Sequence, residues 1–164
     1  MKEVLEGLIG IIIAFVIYTI FSRTSYSLVQ IINIFSLLVI YYGVKKGEIF
    51  GACMGVLCGF IIDSFSLGVF GVAGISKTLT GFLAGYISKK VNVLTISRNF
   101  LFIFILLFIE MAVWTILYAF IFSGPINTGG GLLFLQPLVT AVFGSLIFTS
   151  LEKWKRVFTR KNES

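Results

Sequence analysis

The sequence predicts an all-α integral membrane protein, folded as a compact bundle of about six transmembrane helices. The chain has 164 residues, of which 58% are hydrophobic and only 12% are charged, and its mean hydropathy is +1.05. Soluble domains carry about 25% charged residues, so this chain cannot cover a water-facing surface with polar groups. In lipid, backbone polar groups have to be satisfied within each segment, and long apolar runs are therefore predicted to be helices.

Six apolar segments are long enough to cross a bilayer, for which a helix needs about 20 mostly apolar residues. They are Val4–Phe21, Ser27–Gly43, Lys46–Phe65, Phe70–Ile87, Asn99–Phe122 and Leu132–Leu151. We interpret the first as a retained anchor rather than a signal peptide, because Ser22, Arg23 and Thr24 follow it in place of a small-residue cleavage site. Residues 1–151 would form one transmembrane domain, and residues 152–164 a basic cytoplasmic tail.

The distribution of lysine and arginine predicts that both termini lie in the cytoplasm, where short membrane-protein loops collect positive charge. On the other side of the membrane, the predicted loops contain one cation, Arg23. The predicted cytoplasmic side contains Lys2, Lys45, Lys46, Lys89, Lys90, Arg98 and the five cations of the tail. The net charge of +6 therefore indicates topology and not nucleic-acid binding.

The tail is predicted to be a helix that lies on the inner leaflet. Its apolar side chains recur at helical spacing, with cations between them, and each cation near anionic lipid contributes about 1 kcal/mol. The residues expected at the lipid surface are Lys153, Trp154, Lys155, Arg156, Phe158, Arg160 and Lys161. The same residues could act only as a topology anchor, or they could dock a partner.

Glycines recur every four residues in the third and fourth segments. The third segment contains Gly47, Gly51, Gly55 and Gly59, and the fourth contains Gly81 and Gly85. Residues four apart lie on one face of a helix, and small residues in a membrane helix allow a second backbone to approach closely. This glycine groove could pack against the neighbouring segment of the same chain, or it could receive a helix of another protein.

Several polar residues fall inside apolar segments, where a charged group costs roughly 2.5–3.5 kcal/mol and normally finds a partner. Lys77 is expected to pair with Asp63 or Glu110, because its estimated depth lies between theirs. Gln30 and Asn33 lie in the outer half of the second segment. These five residues are predicted to form a buried polar cluster. All except Glu110, which lies near the middle of its segment, are expected close to the outer surface. The cluster could be a self-satisfied core, a partner-binding site, or a site for a small ligand or an ion.

No pattern in the sequence is typical of an enzyme, a metal site or a cofactor site. The chain has no histidine, the commonest general base and metal ligand. Cys53 and Cys58 match no zinc or redox spacing. Asp63 and Glu110 differ too much in estimated depth for a glycosidase pair, and the segment 74–78 lacks the glycine that precedes the lysine of a phosphate-binding loop. We therefore predict no catalysis, no cofactor and no metal.

Residues 45–85 of the 164 resemble the MreD family of rod shape-determining proteins. They combine a basic turn at Lys45–Lys46, a glycine-rich helix that ends in Gly59-x-x-x-Asp63, a short Ser/Gly loop and a second glycine-containing helix. The size and the inferred topology of the family agree with this chain over nearly its whole length.

The resemblance implies a non-catalytic scaffold of the bacterial cell-elongation machinery, located in the cytoplasmic membrane. Members of the family associate with MreC, a single-span partner with an extracytoplasmic domain, and through it with the actin-like MreB and with peptidoglycan synthases. The groove at Gly51, Gly55 and Gly59, together with Asp63, would then hold the MreC helix and its juxtamembrane segment.

A second hypothesis is a substrate-binding subunit of an energy-coupling-factor vitamin transporter. Such subunits are also six-span proteins of this size, and they dock through small residues of the first helix. Gly7, Gly10 and Ala14 would supply that surface here. The outer polar cluster would then line a pocket for a zwitterionic vitamin or metabolite. Proteins that co-purify with the chain would distinguish the two hypotheses.

Overall fold

A computed structural model describes residues 2–24, 31–65, 70–90, 96–121 and 132–161, and within these ranges it contains six helices and no strand. The predicted all-α class is confirmed. The helices are α1 (Lys2–Thr24), α2 (Ile34–Lys46), α3 (Glu48–Phe65), α4 (Val72–Ser88), α5 (Ile96–Ile121) and α6 (Leu132–Lys161).

Three helices are long and apolar enough to cross a membrane, over Lys2–Arg23, Glu48–Phe65 and Arg98–Ile121. Only 17%, 33% and 28% of their apolar windows, respectively, are buried inside the protein. Apolar side chains exposed on this scale are not typical of a soluble monomer, whereas they suit a surface that faces lipid. The described structure thus has the character of a membrane protein.

The other three helices have shorter apolar stretches. Helix α2 has 13 residues and α4 has 17, and the apolar part of α6 is Leu135–Ser150. The predicted second span begins at Ser27, and residues 25–30 lie outside the described part of the chain. Three of the six predicted spans therefore meet the length and apolarity of a membrane-crossing helix among the described residues.

A single residue, Gly47, joins α2 to α3. Its φ of +99° lies in the left-handed region, which glycine adopts without the steric cost that other residues incur. The N–H of Gly47 still donates to the carbonyl of Gly43, at 2.9 Å. Because the connection is so short, α2 and α3 form a hairpin with their charged ends, Lys45–Lys46 and Glu48, side by side.

Helix α2 lies at the centre of the bundle and belongs to both parts of the core. On one side Val39 packs with α1 and α3, in a cluster that includes Phe35, Met54 and Cys58. On the other side its neighbour Ile40 packs with α4, α5 and α6. Helix α4 contacts α2, α3 and α5, and α6 packs mainly on α5.

Ion pairs connect the helix ends at the α2–α3 turn. Lys46 lies 2.9 Å from Glu3 and 3.2 Å from Glu6, which joins the start of α1 to the end of α2. Lys89 pairs with Glu48 and joins the end of α4 to the start of α3. The opposite end of the bundle, where α2, α4 and α6 begin and α3 and α5 end, contains the candidate site.

Candidate functional site

A pocket of about 210 Å³ lies between α2, α3, α4, α5 and α6. One part of its lining is polar: Asn33, Ser76, Lys77, Glu110, Gln136 and Thr140. The other part is apolar: Ile62, Ala73, Leu107, Met111, Trp114 and Pro137. A concave, mostly apolar site with a few convergent polar groups is the usual form of a small-molecule site.

A buried ion pair forms the polar side of the pocket. The side chain of Lys77 is 2% exposed and that of Glu110 is 7% exposed, and Lys77 Nζ lies 2.5 Å from Glu110 Oε1. Lys77 also donates to Ser36 Oγ and, at 3.3 Å, to Asn33 Oδ1. A lysine ammonium has three N–H donors, so these three acceptors use all of them.

The two carboxylate oxygens of Glu110 differ in their contacts. Oε1 accepts from Lys77 and, at 2.6 Å, from the hydroxyl of Ser36. Oε2 is buried and has no hydrogen-bond partner within the described residues. An unsatisfied buried acceptor costs free energy and is uncommon in native proteins. We therefore expect this oxygen to accept a hydrogen bond from a group outside the described residues.

Asn33 is placed by the start of α2. Its Oδ1 accepts from the N–H of Ser36, three residues later, at 3.2 Å, and so caps the helix. Its own N–H donates to Thr140 Oγ1 at 3.2 Å, and that hydroxyl donates to the carbonyl of Ile31. These bonds fix the beginning of α2 against α6 and direct the Asn33 side chain toward Lys77.

Asp63 lies outside this polar cluster, so the prediction that groups it with Lys77 needs correction. Its carboxylate accepts from the backbone N–H groups of Gly71, Ala73 and Gly74, at 2.8, 3.2 and 3.1 Å. The first N–H groups of a helix have no partner within the helix and favour negative charge, so Asp63 of α3 is held at the start of α4. Of the two partners predicted for Lys77, the structure places Glu110 beside it.

The glycine groove on α3 is filled by α4 of the same chain. A methyl group at Gly55 would lie 2.6 Å from the carbonyl carbon of Lys77, and one at Gly59 would lie 2.6 Å from the nitrogen of Gly74. Real Cβ atoms essentially never make contacts this short. The groove therefore has no room for a helix of another protein, and the hypothesis that it holds the MreC helix needs correction.

Three helices meet at three glycines, which are Gly43 of α2, Gly51 of α3 and Gly81 of α4. A methyl group at Gly43 would lie 2.7 Å from the carbonyl oxygen of Gly81, and one at Gly51 would overlap that oxygen and lie 2.7 Å from the Cα of Gly43. Gly43 continues the four-residue spacing, but it was not predicted to belong to the groove because it lies in a different predicted segment. Gly85 packs on the backbone of Gly47, whose own role is the turn.

The small residues of α1 also pack within the protein. A methyl group at Gly7 would lie 3.1 Å from Met54 Sδ, and one at Gly10 would lie 2.8 Å from Tyr42 Oη. The surface that the transporter hypothesis assigned to docking is therefore covered by α2 and α3.

Three residues of the site were not predicted from the sequence. They are Ser36, which contacts both members of the ion pair, and the α6 residues Gln136 and Thr140. The signal for Ser36 was its position three residues after Asn33 in an apolar segment. Gln30 lies outside the described residues, as do the side chains of the tail, Lys153 to Lys161, although the backbone of α6 extends to Lys161.

Within the described part of the chain, no group of three or more His, Cys, Asp or Glu side chains could hold a metal ion. No protein-family model, no curated protein and no solved structure matches this chain.

Proposed function

We propose that the chain is a multi-pass protein of the bacterial cytoplasmic membrane that acts as a non-catalytic scaffold for cell elongation, in the manner of MreD. The observation that carries the proposal is the α3–α4 hairpin. The residues on which the resemblance to MreD rests hold its two helices together. Gly51, Gly55 and Gly59 make the backbone contacts with α4, and Asp63 of the Gly-x-x-x-Asp motif fixes the start of that helix.

In this proposal all six helices cross the bilayer and both termini lie in the cytoplasm. The arrangement of charges supports it, because Lys45, Lys46 and Lys89 lie at the end of the bundle opposite the pocket, and cations collect on the cytoplasmic side. The pocket then faces the outer half of the membrane, and the basic tail contacts anionic lipids of the inner leaflet.

The topology can be tested with single cysteines at the two ends of α4, in a chain whose Cys53 and Cys58 are replaced by alanine. A membrane-impermeant maleimide added to intact cells should label a cysteine at Phe70 and leave one at Lys89 unlabelled until the cells are opened. The reverse pattern would refute the orientation, and equal labelling of both in intact cells would refute the crossing of α4.

The partner in this proposal is MreC, through which the chain would connect with MreB and peptidoglycan synthases. Because α4 fills the glycine groove, the single MreC helix would pack on a lipid-facing surface. Among the described residues, exposed apolar side chains occur on α1, α3, α4, α5 and α6. They include Ile12, Phe82 and Ile105, which are 62%, 42% and 45% exposed.

The experiment is purification of the C-terminally tagged chain from its native membrane in mild detergent, followed by mass spectrometry. We expect MreC among the recovered proteins. A photo-crosslinking residue at Ile12, Phe82 or Ile105 should then identify the face that contacts MreC. The same residue at Cys58, which is fully buried, is the matched control and should give no crosslink. Purification without MreC would contradict the proposal.

The pocket favours a second candidate, a substrate-binding subunit of an energy-coupling-factor vitamin transporter. Its polar groups converge at one end of the bundle, as a captured small molecule requires. With Gly7 and Gly10 covered, docking would need a surface of α1 other than its small-residue face. Recovery of ATPase subunits and a shared transmembrane coupling protein in the same purification would favour this candidate over the scaffold.

A further inference from the structure

We propose that the pocket binds a neutral, planar small molecule that carries an N–H donor, and that Glu110 Oε2 is the acceptor for that donor. Ligand binding in this pocket does not depend on whether the chain binds MreC, so failure of one proposal leaves the other in place.

Within the described part of the chain, the hydrogen bonding of Glu110 is incomplete at one carboxylate oxygen. Lys77 and Ser36 both donate to Oε1, and Oε2 is buried without a partner among the described residues. A carboxylate oxygen accepts hydrogen bonds and, when ionised, has no hydrogen to donate. The group that completes this site therefore brings a donor, and bonds to an ionised carboxylate are among the stronger ones in proteins.

The buried ion pair beside the pocket has no net charge. Lys77 and Glu110 neutralise each other, and all three donors of Lys77 are already used. A charged ligand would leave a net charge in a buried site at low dielectric, where an uncompensated ion is strongly unfavourable. A neutral amide or heterocyclic N–H supplies the missing donor and adds no charge.

The apolar side of the pocket includes a tryptophan that stacks on a second aromatic ring. Met111, Leu107 and Trp114 line it, and the indole of Trp114 is stacked on Tyr118 with ring centroids 5.1 Å apart. Aromatic rings favour offset-stacked contacts with other rings, and a ring already stacked on one side is held in place for a second. A cavity of about 150 Å³ in another protein holds benzene. The 210 Å³ here suits one ring with a substituent, or two small fused rings.

The test uses benzamide as the probe, because it is neutral, planar and carries an amide N–H. Three molecules of similar size are the controls: toluene has no donor, benzoate is an anion, and benzylamine is a cation. The chain has two tryptophans, Trp114 and Trp154. In the full-length protein with Trp154→Phe, purified in detergent, the fluorescence of Trp114 reports on the pocket directly.

We expect benzamide to change the Trp114 fluorescence saturably, with a Kd at least about tenfold lower than that of toluene, because a hydrogen bond to a charged acceptor contributes that much. Benzoate and benzylamine should also bind at least about tenfold more weakly than benzamide, because each adds an unbalanced charge. Equal binding of toluene, tighter binding of benzylamine or benzoate, or no saturable change with benzamide would each overturn the proposal.

Two variants locate the site. Met111→Phe places a larger side chain in the pocket and keeps both residues of the ion pair, and it should weaken benzamide binding at least about tenfold. Ile105→Phe makes the same type of change on the exposed face of the same helix and should leave the Kd unchanged. Equal Kd values for the two variants would place benzamide elsewhere. Since both substitutions spare Lys77 and Glu110, the comparison does not depend on disrupting the core.

Discussion

Removal of one charge from the Lys77–Glu110 pair should destabilise the fold far more than removal of both. With Lys77→Met, the carboxylate of Glu110 stays buried and loses its cation. Breaking a buried ion pair in this way costs about 3–5 kcal/mol. Glu110→Met leaves the ammonium of Lys77 in the same position. The double variant has no buried ion, and replacement of a whole pair by apolar side chains is often neutral or stabilising.

The measurement is a double-mutant cycle on reversible unfolding, with the wild type, both single variants and the double variant titrated with SDS in mixed micelles. If each single variant loses about 3–5 kcal/mol and the double variant loses less than either, the coupling energy is at least about 3 kcal/mol. Reversal of both charges, with Lys77→Glu and Glu110→Lys, should likewise recover part of the loss that either reversal causes alone.

Simple addition of the two single losses would refute this reasoning, because it would mean that the two charges do not stabilise each other. A second cycle, between Lys77→Met and Asp63→Asn, is the control. The contacts of Asp63 are with backbone N–H groups, so its coupling to Lys77 should be well below that of Glu110. A larger coupling to Asp63 would contradict the pairing of Lys77 with Glu110.

Two further predictions concern α3 and α4. Gly51→Ala should destabilise the protein by about 1–3 kcal/mol, because its methyl group overlaps the backbone of α4. Gly74→Ala should be neutral or stabilising by up to about 1 kcal/mol, because the added Cβ meets its neighbours at an ordinary 3.7–3.9 Å. Unfolding in SDS compares the two variants, and equal losses of stability would contradict the packing argument. Asp63→Ala should reduce the free energy of unfolding by about 0.5–2 kcal/mol, and Asp63→Asn should reduce it less because asparagine keeps an acceptor oxygen. Equal losses in the same assay would show that Asp63 does not stabilise the protein by accepting hydrogen bonds from the N–H groups of α4.

The sequence was most informative where the signal is periodic. Glycines at every fourth position predicted a face of close backbone approach, and the spacing of Gly81 and Gly85 indicated the neighbouring helix. This works because both helices carry the signal along their own length. The periodic pattern could not predict which helix packs on this face, because α4 and a helix of another protein require the same small residues.

The polar cluster was harder to predict because its membership depends on how each helix is rotated. Depth along a segment placed Lys77 between two carboxylates, but depth alone does not distinguish a side chain that points toward α5 from one that points elsewhere. Asp63 is drawn away by the N–H groups of Gly71, Ala73 and Gly74. Those N–H groups have no partner within their own helix because α4 begins there. The sequence did not specify where α4 begins, since that depends on the conformation of the preceding connection.

The glycine contacts and the pocket are linked through Lys77. Its backbone packs against α3, and its side chain lines the pocket. Gly55 packs against the carbonyl group of Lys77, while the Lys77 side chain reaches Ser36 on α2 and Glu110 on α5. A Cβ at Gly55 has to push this part of α4 away from α3, and the ammonium group moves with it.

Gly85 offers a matched comparison, because it packs on the backbone of Gly47 and Glu48 at the opposite end of the bundle. Both Gly55→Ala and Gly85→Ala should reduce stability, by about 1–3 kcal/mol each. Only Gly55→Ala should also weaken the binding of benzamide to the folded protein, by about tenfold if the Glu110 bond is lost. If both variants kept the wild-type Kd, the contact at Gly55 would contribute only to packing. The position of the Lys77 ammonium group would then be determined by its contacts with α2 and α5.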